Sequence, residues 1–302
     1  MNLVDRFNAV FFRTYTFRIL DNFRELALDL LPFLLAGILV VALLQKFIPR
    51  LSQIAILRSD SSLGIATATL AGMAAPLPVY LAVPFSAVLL AAGVPAAVVI
   101  AFLVACPLID PNLFLLTWGA FGPSMAVARV AAAFCLGAGA GLICKKLPER
   151  YTLWPAVELT STSPVRQSYG RPFWIALRRQ SLFILKIFSV SLLLSAALKA
   201  LVPPELVRAL FSGSDSSAIL LAIALGVPFY QCGGASIPIM EALHQLGLSG
   251  GAVLAFFISG PATKLSALYA FQAGFGSRAV ALYVAFTMAG AFLAGIIFSM
   301  AF

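Results

Sequence analysis

Two ionisable residues, Asp110 and Lys264, stand in otherwise apolar stretches of the sequence. Each follows a proline by three residues (Pro107 and Pro261), and the two positions are 154 residues apart. A charged group at membrane depth is costly and is usually functional, paired or facing water. We therefore predict that the two groups meet near the centre of the protein. Two interpretations stay open. In the functional one, the two residues form an ion pair that gates a pathway, or Asp110 titrates during transport. In the structural one, they form a static ion pair that fixes how the two halves dock.

Cysteine chemistry is a second possibility. Cys106 and Cys232 lie in stretches rich in Pro and Gly, where a thiol could meet a soft ligand. Cys135 and Cys144 are typical of small packing residues in apolar helices. An intramembrane thiol oxidoreductase would need Cys106 and Cys232 with Cα atoms within about 7 Å of each other. This is one alternative function, and a non-transporting membrane scaffold is another.

Metal and enzyme chemistry have weaker support in the sequence. Glu241 and His244 are three residues apart and share one helix face, but a carboxylate-bundle metal site needs a second such pair. We expect these two residues to form an interfacial polar cap. No phosphate-binding loop, serine nucleophile motif or zinc-binding His-Glu-x-x-His is present. We expect no enzyme activity, no metal and no cofactor.

The composition places these groups in lipid. Of 302 residues, 62% are apolar and 10% are charged, and the mean hydropathy is +1.02, whereas about 25% of the residues of soluble domains are charged. The 49 residues between Asp60 and Asp110 carry no charge, and as a helix they would extend about 74 Å, more than twice the hydrocarbon thickness. The net charge of +9 sits in a few clusters, which argues against a nucleic-acid partner and for the lipid bilayer. The prediction is an all-α polytopic membrane protein.

The two halves of the chain are similar. An ungapped shift of 154 residues lays residues 24–148 on 178–302 and matches prolines and glycines that are hard to align by chance. We predict two repeats of about four transmembrane units each, with broken or re-entrant helices at the centre. The units are 26–48, 62–92, 94–119 and 123–144, then 180–202, 216–246, 248–274 and 278–301.

Pro and Gly cluster at corresponding places in units two and three of both halves. Discontinuous helices in matching positions of two repeats are typical of substrate sites in secondary transporters, although packing kinks are the alternative. The residues that we expect at the breaks are Pro76, Pro78, Pro84, Pro107, Pro111, Pro228, Gly233, Gly234, Pro238, Gly260 and Pro261.

The domain organisation follows from these units. Residues 1–23 are predicted to form an interfacial amphipathic helix, 24–148 the first repeat, 149–177 a basic linker and 178–302 the second repeat. If every unit crosses once, both halves point the same way and both termini lie on the side of the linker. Re-entrant hairpins could change the number of crossings and turn parallel repeats into inverted ones. The positive-inside rule places the linker in the cytoplasm, and we expect a multi-pass protein of the bacterial inner membrane.

A family resemblance is carried by three segments, GVPFYQCGGASIPIMEAL (226–243), AFFISGPATK (255–264) and AFLVACPLIDPNLFLLTWGAFG (101–122). They resemble the predicted-permease family that includes the organoarsenical efflux permease ArsP, and the resemblance implies a multi-pass permease fold with export activity. Family members commonly carry Cys-Ser-Cys-Gly where this chain has residues 78–81, Pro-Val-Tyr-Leu, and Asn where it has Asp110. The missing thiols disfavour trivalent arsenic and favour a more polar centre.

We therefore predict a permease that moves a small solute or ion through a site between the repeats, most simply by efflux. The solute is expected to be metalloid-like, organoarsenical-like or anionic. The oligomeric state stays open. The residues expected at the site are Asp110, Lys264, Cys232, Cys106, Tyr80, Tyr230, Gln231, Ser236, Asn112 and Thr263.

Overall fold

A computed structural model describes residues 3–44, 59–75, 82, 85–86, 89–90, 93–146, 173–211, 215–229, 234 and 236–301. Within these ranges the chain forms helices and turns and no strand, which confirms the predicted all-α class for this part of the chain. The helices are α1 (Leu3–Leu44), α2 (Ser62–Ala74), α3 (Ala96–Ala105), α4 (Pro111–Lys146), α5 (Phe173–Leu201), α6 (Pro204–Phe211), α7 (Asp215–Phe229), α8 (Ser236–Gln245), α9 (Gly250–Thr263) and α10 (Leu265–Ala301).

Several apolar helices are too short to cross a bilayer. α2, α3, α7 and α9 contain 13, 10, 15 and 14 residues, so they extend only about 15–23 Å, less than the roughly 30 Å of a hydrocarbon core. Two segments, Pro111–Lys146 and Gly276–Ala301, are long and apolar enough to span a membrane by length and composition. The predicted interruptions therefore occur, and they divide apolar stretches into half-length helices.

The long helix α4 reverses direction at Gly122. This glycine has φ 81° and ψ 179°, a conformation that is strained for residues with a side chain. Thr117 and Arg129 would be about 18 Å apart along a straight helix, yet the Arg129 guanidinium donates a hydrogen bond of 2.8 Å to Thr117 Oγ1. α4 is therefore a hairpin of two antiparallel arms, α4N (111–121) and α4C (123–146).

Helix α10 has the same construction. Gly276 has φ 79° and ψ 167°, and the rings of Phe271 and Tyr283 on either side of it stack at 4.4 Å between centroids. The two arms are α10N (265–275) and α10C (277–301). The unit boundaries predicted near residues 119–123 and 274–278 coincide with these reversals.

Helices α3 and α4N together form one interrupted segment along α4C. Gly137 abuts Ala105, and Gly141 abuts Ala97, so α3 runs antiparallel to α4C. α4N is antiparallel to α4C as well, and residues 96–121 therefore advance in one direction. These 26 residues extend about 39 Å when helical, enough for one crossing with a break between α3 and α4N.

The two described ends of the predicted unit 62–92 lie beside the same end of α3. α2 runs parallel to α3, because Ile65 lies with Ala97 against Gly141 and Thr69 lies with Ala105 against Gly137. Leu89 and Leu90 accept backbone hydrogen bonds from Val94 and Gly93, just before α3 begins. The Phe85 ring lies further along α3, 5.6 Å from that of Phe102.

The second half makes the same contacts 154 residues further along. The residues that contact Gly295 are the counterparts, under the 154-residue shift, of the residues that contact Gly141. The turn before α9 also has the same pattern of backbone hydrogen bonds as the turn before α3. The matched contacts are Gly141 with Ile65, Ala97 and Ala101, and Gly295 with Ile219, Gly251 and Ala255. The matched bonds are Gly93 N–H to Leu90 O and Val94 N–H to Leu89 O, and Gly247 N–H to His244 O and Leu248 N–H to Leu243 O.

The equivalent arms α4C and α10C cross antiparallel. Gly290 abuts Leu136, its own counterpart under the 154-residue shift, and Met125 and Phe298 both lie against Gly250. The reversal at Gly122 is thus at the same end of the molecule as the end of α10, and Lys146 is at the other end of α4C. Matching segments of the two halves point in opposite directions, contrary to the expectation for units that each cross once.

Two predicted boundaries differ from the structure. α1 continues through residue 23 to Leu44, because the sequence around that position contains no Gly, Pro or capping turn to end a helix. α5 begins at Phe173, inside the predicted linker 149–177, while residues 149–172 of that linker lie outside the described part.

Candidate functional site

The break between α3 and α4N is organised around Asp110. Its Oδ1 accepts a hydrogen bond of 2.8 Å from the Leu113 N–H, and its carbonyl accepts one of 2.9 Å from the Phe114 N–H. Asp110 therefore caps α4N, whose first residue is Pro111. A proline is well tolerated at this position because its missing N–H would have no helical partner, and an anion is favoured at a helix N-terminus.

Arg129 on α4C lies across this break and is one of the largest fully buried side chains, 1% exposed. Its guanidinium donates to Thr117 Oγ1 at 2.8 Å and to the Leu108 carbonyl at 3.3 Å. It also lies 4.5 Å from the ring centre of Phe257 on α9. Arg129 thereby joins both sides of the break and contacts the second half of the chain.

Lys264 occupies the equivalent break between α9 and α10N. It is the C-cap of α9, it is half-buried, and its carbonyl accepts from the Leu268 N–H at 3.0 Å. A cation is favoured at a helix C-terminus. The two charges predicted from sequence are therefore at two equivalent helix interruptions.

The predicted ion pair between Asp110 and Lys264 is not formed in this structure. The ion pairs among the described residues join Lys145 to Asp60 and Lys199 to Glu25. The cation whose field acts on Asp110 is Arg129. The physical reason is that Asp110 is stabilised by the N-terminus of α4N, and the chain reversal at Gly122 brings Arg129, not Lys264, over the first break.

Four other predicted site residues are buried in the described region. Asn112 is 5% exposed and its Oδ1 has no hydrogen-bond partner among the described residues. Thr263 donates to the Ser259 carbonyl at 2.9 Å, and Ser236 is buried at the start of α8. The Cys106 Sγ lies 4.0 Å from the Ala75 carbonyl. Of these four residues, Asn112 is the one with a buried polar atom that lacks a hydrogen-bond partner among the described residues.

Among the predicted break residues, several lie where a helix starts or ends. Pro107 lies in the turn after α3 and Pro238 in the first turn of α8. Gly234 has φ +86° and lies against Leu116 of α4N, so this interruption of the second half touches the first. Pro228 lies within α7, one residue before its end.

Gly260 and Pro261 differ from the prediction. They lie inside α9, which continues to Thr263, and the interruption comes at Lys264. Pro261 lies in the last turn of α9. Its missing N–H leaves one more carbonyl without a helical partner, next to a helix end where the last carbonyls have no helical partner in any case. The remaining predicted residues lie outside the described side chains: Pro76, Pro78, Tyr80, Pro84, Tyr230, Gln231, Cys232 and Gly233.

Sequence reasoning missed Arg129 and its counterpart Tyr283. Tyr283 is 6% exposed and its hydroxyl has no hydrogen-bond partner among the described residues. A signal for Arg129 was present, since it is the one charged residue between Asp110 and Lys145. The same rule that selected Asp110 and Lys264, a lone charge in an apolar run, selects Arg129.

A cavity of about 380 Å³ lies at the end of the molecule where α4 reverses and α10 ends. Its polar and aromatic lining includes Phe121, Ser124, Asp215, His244, Ser249 and Ser299. Residues of both halves line this cavity. The cavity therefore lies at one end of the interface between the halves and is large enough to hold solvent.

Comparison with known proteins gives a family match over nearly the whole chain. Residues 17–300 match the model of a family described as predicted permease, ArsP_1. The UPF0718 protein MJ0584 of Methanocaldococcus jannaschii is 26% identical over 127 residues, 39% of this chain and 35% of that protein. The match thus spans about a third of the archaeal protein's length. No solved structure matches the chain.

Proposed function

The chain belongs to the predicted-permease family, and from this premise we propose that it moves a small solute across the bacterial inner membrane through a site between two inverted repeats. Membership of a predicted-permease family supports membrane transport rather than enzyme activity.

The observation that carries the proposal is the antiparallel crossing of α4C and α10C at the counterparts Leu136 and Gly290. Two equivalent segments that cross antiparallel at matching residues are related by a two-fold axis through the crossing. In a membrane this is the geometry of inverted-topology repeats, which place substrate sites at discontinuous helices near the midplane. The proposal gives each half three crossings and one hairpin, since inverted repeats require an odd number of crossings in each half.

The proposed site lies between the break at 106–110 and the break at Lys264. The first break supplies Asp110 and the unpartnered Oδ1 of Asn112, and Arg129 stands behind it. Two cations and one anion among these groups favour a small anionic or zwitterionic solute. Cys106 is the one thiol of the described site, and a trivalent arsenical prefers several sulfur ligands, so we rank organoarsenicals second.

The inverted arrangement also accounts for the distribution of basic residues. Asp60 binds Lys145 near the end of α4C, and the segment leading to it contains Lys46, Arg50 and Arg58. This segment and the basic linker that follows Lys146 therefore join the chain at the same end of the molecule. Under the positive-inside rule that end is cytoplasmic, and the export direction runs from it towards the cavity.

Cysteine accessibility tests the topology. In a cysteine-free background, an impermeant maleimide added to intact cells is expected to label Ala301→Cys but to label Lys146→Cys only after permeabilisation. The reason is that these residues end the antiparallel arms α10C and α4C. Ser59→Cys is the matched control and should behave like Lys146→Cys. Labelling of Ala301→Cys and Lys146→Cys from the same side would contradict inverted repeats.

Flux into everted membrane vesicles tests transport. The panel comprises phosphate, a zwitterionic amino acid, arsenite and a trivalent organoarsenical, each compared with vesicles lacking the protein. For the solute that is moved, Asp110→Asn is expected to lower flux about tenfold, equivalent to about 1.4 kcal/mol, because the cap of α4N loses its charge beside the site. Asp21→Asn, an exposed carboxylate on α1, should leave flux unchanged.

Two outcomes count against the proposed function. Equal flux in Asp110→Asn and the unaltered protein would remove the proposed site. No flux above the protein-free level for any member of the panel would remove transport of these solute classes and return the non-transporting scaffold to consideration.

A further inference from the structure

A carboxyl group outside the proposed site, that of Glu241 on α8, is buried with incomplete hydrogen bonding. Glu241 is 6% exposed. Its Oε1 accepts a hydrogen bond of 3.2 Å from Gln245 Nε2, whereas Oε2 has no partner among the described residues. An ionised carboxylate in such surroundings is expensive unless it is paired and fully hydrogen-bonded.

The charges around Glu241 do not supply that pairing. Those that act on it are Lys199 of α5 and the carboxylates Asp29 and Glu25 of α1. Lys199 Nζ is bound to Glu25 Oε2 at 3.2 Å. Lys199 is thus paired with Glu25, and of the three carboxyl groups Glu241 is the buried one while Glu25 and Asp29 are exposed.

Among the described residues, the other helices packed against α8 add no charge that pairs with Glu241. α9 contains no charged residue. On α4, the Arg129 guanidinium is held by Thr117 and Leu108, and Lys145 and Lys146 lie at the opposite end of α4C. On α8 itself the other titratable group is His244, whose Nδ1 lies 2.6 Å from the Leu248 carbonyl.

From this arrangement we infer that Glu241 binds a proton inside the protein and exchanges it with the aqueous cavity at the end of the interface. His244, one helical turn further along α8, lines that cavity and provides the route. The proton leaves when Lys199 moves from Glu25 to Glu241, because the ammonium then compensates the carboxylate. The inference rests on the proposed permease function and names the proton as its coupling ion.

Infrared difference spectroscopy on the full chain in lipid nanodiscs tests proton binding without any transported solute. Between acidic and alkaline buffer, we expect a protonated-carboxyl C=O band that persists at neutral pH and shifts on exchange into D₂O. Glu241→Gln should remove this band, and Glu241→Asp should retain it at a shifted frequency. Asp21→Asn, which changes an exposed carboxyl group on α1, should leave the band in place, whereas Glu25→Gln should weaken it because Lys199 loses its partner and can compensate Glu241.

The inference is overturned if the band of Glu241→Gln equals that of the unaltered protein, or if no such band exists at neutral pH in a folded sample. Should Glu241→Gln fail to fold, the frequency shift in Glu241→Asp decides the assignment. Flux of the transported solute is measured separately. Flux without the infrared band would reject the proton site and leave the proposed permease function standing. The band without flux would leave the proton site standing and count against the proposed permease function.

Discussion

Replacing Arg129 by alanine is expected to lower the free energy of unfolding by about 3 kcal/mol, the low end for breaking a buried charged network. The change removes the hydrogen bonds to Thr117 and the Leu108 carbonyl and the contact with the Phe257 ring. The change also leaves a large cavity, and Asp110 loses the positive charge that lies near it. Thermal unfolding in detergent, followed by tryptophan fluorescence, should show a midpoint lower by on the order of 5–10 °C.

Two further variants separate charge from geometry at this position. Arg129→Lys keeps the positive charge but lacks the planar fork that reaches two acceptors at once, so we expect an intermediate melting temperature. Arg278→Ala removes an exposed cation from α10C and should change stability by less than about 0.5 kcal/mol. A melting temperature of Arg129→Ala equal to that of Arg278→Ala would mean that Arg129 does not join the break to the rest of the protein.

Gly141→Ala is expected to cost about 1–3 kcal/mol, the range for overpacking a close contact. A methyl group at Gly141 would lie 2.8 Å from the Ala97 carbonyl oxygen and 2.8 Å from Ile65 Cγ2, and the carbonyl belongs to a backbone that cannot easily move. This contact sets the distance between α4C and α3, so the loss should also appear as a lower yield of folded protein in size-exclusion chromatography.

Gly139 supplies the matched control two residues away on the same helix. A methyl group there would lie 3.6 Å from its nearest neighbour, an ordinary contact with Phe286. Gly139→Ala should therefore be tolerated, and it should gain slightly from the higher helix propensity of alanine. Equal losses for the two variants would show that the alanine is penalised by something other than the close approach of α3.

Local features of the sequence placed several of the expected interruptions near helix ends that the structure describes. Proline and glycine act on the backbone within one turn of their own position, so the units ending near 119–123 and 274–278 and the break at 106–110 could be read directly. Pro261 shows the limit of the rule, because a proline in the last turn removes a hydrogen bond without ending the helix. The break then comes at Lys264, three residues later.

The pairing of charges could not be predicted in the same way. Asp110 and Lys264 occupy equivalent positions, and equivalence suggested that they meet. The structure instead gives Asp110 the field of Arg129, because the Gly122 reversal folds α4C back along the break. Glu241 was expected to be a polar cap beside His244, and its burial against the Lys199 cluster depends on how α8 packs on α5.

The sequence by itself determined the helical class and the apolar composition that is typical of a membrane protein, and it predicted where several helices stop. These properties follow from composition and from backbone hydrogen bonding, which is local in a helix and obligatory in lipid. The tertiary structure alone decided that matching segments cross antiparallel and which buried charges have partners. Both depend on the direction in which the chain leaves each reversal, and that direction is set by contacts between residues far apart in the sequence, such as Leu136 and Gly290.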